Sequence, residues 1–161
     1  MAILINVSIS LQQLTLIDNS KVIKSYPVST AIKGIGQNKN SLQTPLGLHY
    51  IRAKIGKGLP AFTIFKGRRP TGELWSKENF ELKSNQDWIL SRIMWLSGKE
   101  LRVNRLGNFD TMQRYIYIHG THDENQLGKP MSHGCIRMSN SDVIELFNLT
   151  PIGALVCINE E

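Results

Sequence analysis

The apolar residues of this chain come in short runs separated by turn-forming residues, a pattern that fits strands rather than helices. "AILINVS" and "QQLTLID" are rich in Ile, Leu, Val and Thr. "DNSK" at 18–21 is a turn signal ahead of a third run, "VIKSYPV". "GLHYIRAKI" continues the series and "ALVCI" closes it. In "RYIYIH" the alternation is strict, with Tyr115, Tyr117 and His119 facing one way and Ile116 and Ile118 the other. A helix is expected over "SNSDVIELFNL". There Val143, Ile144 and Phe147 form an apolar stripe, Asp142 and Glu145 can make a capping box, and "TPIG" stops the helix. The expected fold class is therefore mainly β with one or two short helices.

Two stretches read less plainly. Residues 30–47, "TAIKGIGQNKNSLQTPLG", form a long loop; Gly34 and Gly36 do not complete a dinucleotide fingerprint, because no third glycine follows at the required spacing. In the middle, "GKGLPAFTIFKGRRPTGELW" reads as loop around a short strand, and "GKELRVNRLGNFDTMQR" reads as loop. "WILSRIMWL", 88–96, suits either a strand or a buried helix. Long excursions in compact domains are often functional, so 55–110 is a candidate lid or insertion. No repeat, low-complexity tract or linker interrupts residues 1–161, which are expected to form a single domain able to bury a full core.

A hydrophobic fraction of 41% with 20% charged residues describes a globular chain. The net charge of +6 suits an anionic partner. The basic residues are dispersed, however, and the densest cluster, "KGRRP" at 66–70, is short. With no zinc-finger, RNP or helix-turn-helix pattern, no nucleic-acid partner is expected. No segment approaches the roughly 18–20 apolar residues of a membrane span. The start, "MAILINVSISLQQLTLI", has no basic n-region and no small-residue cleavage site. As it stands the chain is expected in the cytoplasm, or in the periplasm or cell envelope if an export signal has been trimmed.

The chemistry concentrates in 115–143, which holds His119, His122, His133 and Cys135. Those four could bind zinc, but neither a C-x2-4-C nor an H-x3-5-H pair occurs, and HExxH is absent, so no metal is expected. A cysteine nucleophile fits better. Its thiol must ionise to attack a carbonyl. A nearby imidazole, the charge of Arg137 and the N-terminus of the following helix are all expected to lower the pKa of Cys135. Gly134 lets the backbone bend, so that N–H groups of the His133-Gly134-Cys135 turn can converge on an oxyanion. His119 and His133 are both candidate bases, and spacing does not choose between them. Cys157, within "ALVCI", is expected to be a buried small hydrophobe, and two such cysteines make no disulfide framework.

"IHG" followed by "SHGCIRM" closely resembles the L,D-transpeptidase catalytic (YkuD-type) domain. "TPLG" at 44–47, "KSYPVST" at 24–30 and the closing "SDVIELFNLTPIGALVCI" are similar to that family as well. The likeness is good at both ends of the chain and weak over 55–110. It implies a barrel-like or sandwich β fold and a cysteine mechanism needing neither metal nor cofactor. By position, Cys135 matches the nucleophile, His119 the base and Gly120 the carbonyl that orients it. His133, Gly134 and Cys135 match the oxyanion-hole turn, and Ser132 and Arg137 match residues shaping the pocket. Tyr115 and Tyr117 are candidates for the substrate groove. His122 matches nothing in the motif and is expected to be an exposed loop residue; His49 is expected to be a packed or surface residue of its strand. Two departures stand out: a short gap between His119 and Ser132, and Arg137 where many members carry asparagine. The resemblance implies peptidoglycan stem peptides or muropeptides as substrate, with loss of a terminal D-alanine through a thioester. Transfer to an amine gives an L,D-transpeptidase and transfer to water an L,D-carboxypeptidase; without an export signal, hydrolysis is weighted up. It also implies acylation by carbapenems. A non-catalytic peptidoglycan-binding module and a zinc peptidase are the alternatives.

Overall fold

The computed structural model describes residues 2–80 and 87–161. The first three strands are β1 (Ile3–Ser8), β2 (Gln13–Asp18) and β3 (Lys21–Pro27), an antiparallel meander from the three short runs at the start. Then come β4 (Gly47–Ile55), β5 (Thr63–Lys66), β6 (Arg69–Leu74), the short helix α1 (Lys77–Phe80) and β7 (Ile89–Gly98). The last third holds β8 (Tyr117–Gly120), β9 (Ile136–Met138), helix α2 (Asn140–Leu149) and β10 (Leu155–Asn159).

The strands form one mixed sheet in the order β3-β2-β1-β10-β4-β7-β5-β6, and β8 branches from β7 to carry β9. Most pairs are antiparallel; β1–β10 and β8–β9 are parallel. The free side of β9 meets the chain just beyond β3. Ser29 and Arg137 exchange both backbone hydrogen bonds, at 3.0 and 2.9 Å, and Ala31 bridges Ser132. The path from β3 through β7, β8 and β9 thus returns to its own beginning, giving the barrel-like β fold expected. Inside lie Ile5, Val7, Leu14, Leu16, Ile51 and Leu96, joined by Ile118 and Ile136.

The segment "WILSRIMWL" is a strand. β7 is flanked by β4 and β5 along one edge and by β8 along the other, and is buried on both faces, so its residues read as a continuous apolar run without the alternation that would have identified it. It lies within 55–110, so that region supplies a central strand as well as an excursion. The excursion differs from a loop around one strand: β5 and β6 form a hairpin. Its two linking residues, Gly67 and Arg68, both have positive φ (55° and 64°), the conformation of a tight I′ turn. A Gly-Arg pair is a weaker sequence signal for that turn than Asn-Gly.

Helix α2 starts as "SNSDV" suggests, but with a different cap. Ser139 is the N-cap and its Oγ accepts from the Asp142 N–H at 3.1 Å. Glu145 takes no part in a capping box; its carboxylate accepts from Tyr26 Oη and pairs with Lys24, both at 2.7 Å. Val143, Leu146 and Phe147 turn into the core. Cys157 is half-buried on β10 rather than fully enclosed, because alternation turns it away from the face carried by Val156 and Ile158. No helix of the described residues is long and apolar enough to cross a membrane.

Candidate active site

The parallel β8–β9 ladder organises the site. Ile118 pairs with Ile136, His119 with Arg137 and Gly120 with Met138. Ile118, Ile136 and Met138 enter the main core. His119 and Arg137 therefore share the opposite face. Tyr117 and Cys135, one alternation earlier on each chain, share it as well. Tyr117 packs there with Phe65 and Ile93, and Cys135 lies against this cluster. Gly120 has to be glycine for a steric reason: a Cβ there would lie 2.6 Å from Asn140 Oδ1 and 2.7 Å from the Leu90 carbonyl. Asn140, the first residue of α2, is held in that position by its own bond to the Thr121 carbonyl at 2.8 Å.

His119 is fully buried. Its Nδ1 lies 2.7 Å from the Gly120 carbonyl oxygen. A carbonyl can only accept, so Nδ1 carries the proton and Nε2 is left with a bare lone pair. Burial pulls the imidazole pKa down, against opposing pulls from Asp87 and the Gly120 carbonyl. The ring is neutral at pH 7, and among the described residues Nε2 has no hydrogen-bond partner.

The Cys135 thiol donates to the Tyr115 carbonyl at 3.4 Å and accepts from the Tyr117 N–H at 3.3 Å. Cys135 is half-buried, and desolvation by its surroundings pushes its pKa up to about 12; Asp87 adds to the rise, while the Tyr117 N–H, Arg137 and Arg114 oppose it. This reverses the expectation of a depressed value, for three reasons. Strand β9 stands between Cys135 and α2, so the helix N-terminus is not beside the sulfur. The charge of Arg137 is engaged by Asp87 at 2.7 Å. The thiol hydrogen is directed at Tyr115, not at an imidazole.

The turn ahead of the cysteine is built from side-chain hydroxyls. Ser132 Oγ donates to the Cys135 carbonyl at 2.6 Å and accepts from the Gly134 N–H at 3.2 Å. Gly134 sits at φ 129°, where an added Cβ would also crowd Ile116 and the Gln43 carbonyl. Its carbonyl accepts from Thr44 Oγ1 at 3.0 Å, and the same hydroxyl accepts from the Ala31 N–H at 2.9 Å. Thr44 belongs to the "TPLG" stretch, and this is what that stretch does in the structure. Among the described residues, the backbone N–H groups of His133 and Cys135 have no intramolecular acceptor.

His133 and Arg137 converge on Asp87, which sequence reading passed over. Its two oxygens lie 2.7 Å from Arg137 and 3.6 Å from His133 Nδ1. Nothing in "SNQDW" distinguishes this aspartate from any other loop aspartate. The His133 side chain is 53% exposed, a different setting from that of His119. A cleft of about 200 Å³ opens beside it, lined by Lys39, Arg114, Tyr115 and Ile116. Tyr117 is buried, with burial raising its pKa, so it backs the groove; Tyr115 is half exposed. His122 is partly buried rather than exposed, its ring 5.5 Å from that of Trp75. His49 is buried on β4 between the Gly47 carbonyl and Thr111 Oγ1; desolvation brings its pKa down to about 4, against the opposing pull of the Gly47 carbonyl. Among the described residues no three His, Cys, Asp or Glu side chains gather as a metal-ligand set.

A sequence profile of the L,D-transpeptidase catalytic domain (YkuD) matches residues 2–158. The chain belongs to the L,D-transpeptidase catalytic domain family. YkuD of Bacillus subtilis strain 168 is 32% identical over 155 residues, covering 96% of this chain and 65% of that protein. The L,D-transpeptidase of Xylanimonas cellulosilytica superposes with a TM-score of 0.61 at 16% identity, over 98% of this chain and 60% of that one. L,D-transpeptidase 3 of Mycobacterium tuberculosis, solved with a faropenem-derived adduct, gives a TM-score of 0.59 at 18% identity, over 99% of this chain and 60% of that one. The chain thus spans less than two thirds of the length of these relatives. As an L,D-transpeptidase domain it presents Cys135, His119, Gly120, Arg137 and Tyr117 along one ladder, with Ser132 and Gly134 shaping the turn. His122 and His49 stand apart.

Proposed function

We propose that the chain catalyses cysteine-dependent acyl transfer on peptidoglycan stem peptides. One observation carries this reading most: a neutral imidazole with its proton fixed on Nδ1 presents a bare Nε2 on the same sheet face as a free cysteine. The thiol is protonated at rest, so attack requires the sulfur to turn from the Tyr115 carbonyl toward His119. His119 Nε2 takes the proton as the sulfur bonds to the carbonyl carbon on the L-centre of the third stem residue. Substrate replacing the Tyr115 contact supplies that displacement, and catalytic hydrogen bonds often tighten only in the complex. The N–H groups of His133 and Cys135 are suited to receive the oxyanion. Collapse of the adduct breaks the bond to the terminal D-alanine, whose amine receives the proton from imidazolium. The thioester then passes its acyl group to water or to an amine of a second stem.

His119 is preferred to His133 as the base because its tautomer is fixed and its ring is neutral, whereas His133 projects to solvent beside Asp87. Mass spectrometry of a defined tetrapeptide incubated with the protein, with and without an amine acceptor, tests the reading. Loss of D-alanine, an acyl-enzyme mass and their disappearance in Cys135→Ala are expected. Turnover that survives Cys135→Ala refutes the mechanism. The ratio of cross-linked product to tripeptide assigns the acceptor.

A further inference from the structure

The tight β5–β6 turn delivers a charge to the site that the acyl-transfer chemistry does not use. Arg68 adopts φ 64°, a conformation that disfavours any residue with a Cβ. Its guanidinium lies 4.7 Å from the centre of the Trp95 ring and 5.0 Å from that of Tyr115, and one N–H donates to Tyr117 Oη at 3.1 Å. Trp95 carries a second cation, Arg52, at 5.1 Å, which donates to Ser97 Oγ at 3.1 Å. The indole is fixed by its own N–H, bonded to the Met112 carbonyl at 3.1 Å.

Two like charges on one aromatic ring repel, and among the described residues no carboxylate lies within 4.0 Å of either guanidinium. Each arginine donates to one neutral hydroxyl, which leaves most of a five-donor fork suited to a carboxylate. The position is adjacent to the sulfur: Arg68 stacks on the residue whose carbonyl accepts the Cys135 thiol and bonds the side chain of the residue whose N–H donates to it. We infer that Arg68, assisted by Arg52, binds a free carboxylate of the peptide substrate and so sets specificity for the ionised form of the stem. The inference rests on the acyl-transfer reading above and goes further, assigning a recognition role to the basic cluster at 66–70.

Stem peptides carry several carboxylates, so the experiment uses tetrapeptides amidated at one carboxylate at a time, assayed with wild type, Arg68→Gln, Arg68→Lys and Arg52→Gln. In wild type one of the amidations raises KM about tenfold, as expected for losing a charge-assisted contact at a partly exposed site, while kcat stays within about twofold. Arg68→Gln brings the KM of the free acid up to that of the amide, so discrimination disappears; Arg68→Lys restores part of it. Uniform KM values across the wild-type series, or discrimination that persists in Arg68→Gln, overturn the inference and leave Arg68 as a brace for the hairpin. If Arg68→Gln fails to fold, Arg52→Gln, which removes the second cation on Trp95, reads the same discrimination. If wild type turns over none of the peptides, the acyl-transfer reading fails instead. Binding of the same series to Cys135→Ala protein then measures the carboxylate preference on its own.

Discussion

Replacing Thr44 by valine tests how the cysteine turn is held. The hydroxyl is fully buried, donates to the Gly134 carbonyl at 3.0 Å and accepts from the Ala31 N–H at 2.9 Å. Valine keeps the shape and deletes both bonds, stranding two buried backbone groups. Each stranded group costs about 1–3 kcal/mol, and the added methyl returns roughly 0.8 kcal/mol. The net loss is then about 1–5 kcal/mol, up to a large share of the roughly 5–15 kcal/mol that holds a domain folded. For a domain of this size it lowers Tm by roughly 2–20 °C. Urea unfolding followed by tryptophan fluorescence gives the free-energy change directly, provided the m-value is unchanged. Because the Gly134 carbonyl is in the turn that aims the sulfur, kcat for D-alanine release should fall as well, at temperatures where the variant is still folded. Thr44→Ser, which keeps the hydroxyl, should retain most of the activity. A valine variant within about 1 kcal/mol of wild type and equally active would refute this account of the turn.

Other outcomes follow from the electrostatics and the backbone. With the Cys135 thiol near pKa 12, alkylation by iodoacetamide at pH 7.5 in the absence of substrate should run roughly a thousandfold slower than for a free thiol and rise with pH through at least pH 10. A plateau near neutrality would show a thiolate already formed. Asp87 raises the thiol pKa, so Asp87→Asn should lower it and speed alkylation at any fixed pH below that value; slower alkylation would contradict the sign. His119→Ala should reduce turnover more than His133→Ala, and the reverse ranking would reassign the base. Gly134→Ala forces a Cβ into a left-handed position against Ile116 and the Gln43 carbonyl. It should cost about 1–3 kcal/mol in a denaturation curve.

How much of this was legible in the sequence depends on which physical rule wrote each part. The alternation in "RYIYIH" put His119 with Tyr117 and opposite Ile118, and the ladder keeps that arrangement, because β8 is covered on both faces by different clusters. β7 could not be identified from its pattern, since full burial erases alternation. The β5–β6 hairpin was hidden by its Gly-Arg turn. Cap residues locate α2 to within a residue or two, but the cap is Ser139: Asp142 already lies inside the first turn, and Glu145 is drawn away by Tyr26 and Lys24. Asp87 and Thr44 act across long sequence separations, on Arg137 and Gly134 respectively, and no local pattern marks such partners. The direction of the thiol pKa was misread for a related reason. Charges near Cys135 in sequence were counted, while the enclosing protein and the Arg137–Asp87 pair, which exist only after folding, were not.

The exchange of hydrogen bonds between Ser29 and Arg137 has a consequence for how the catalytic machinery comes into being. A three-residue strand has little cohesion of its own. β9 is secured on one edge by β8 and on the other by a segment more than a hundred positions upstream. Closing so large a loop is entropically slow, so such contacts form late. A nascent or partly unfolded chain can hold β7 and β8 in place and still leave the cysteine undirected. Competence for the proposed reaction then arrives with the final joining of the ring, and agents that pry the segment around Ser29 loose should abolish D-alanine release well before the barrel as a whole melts.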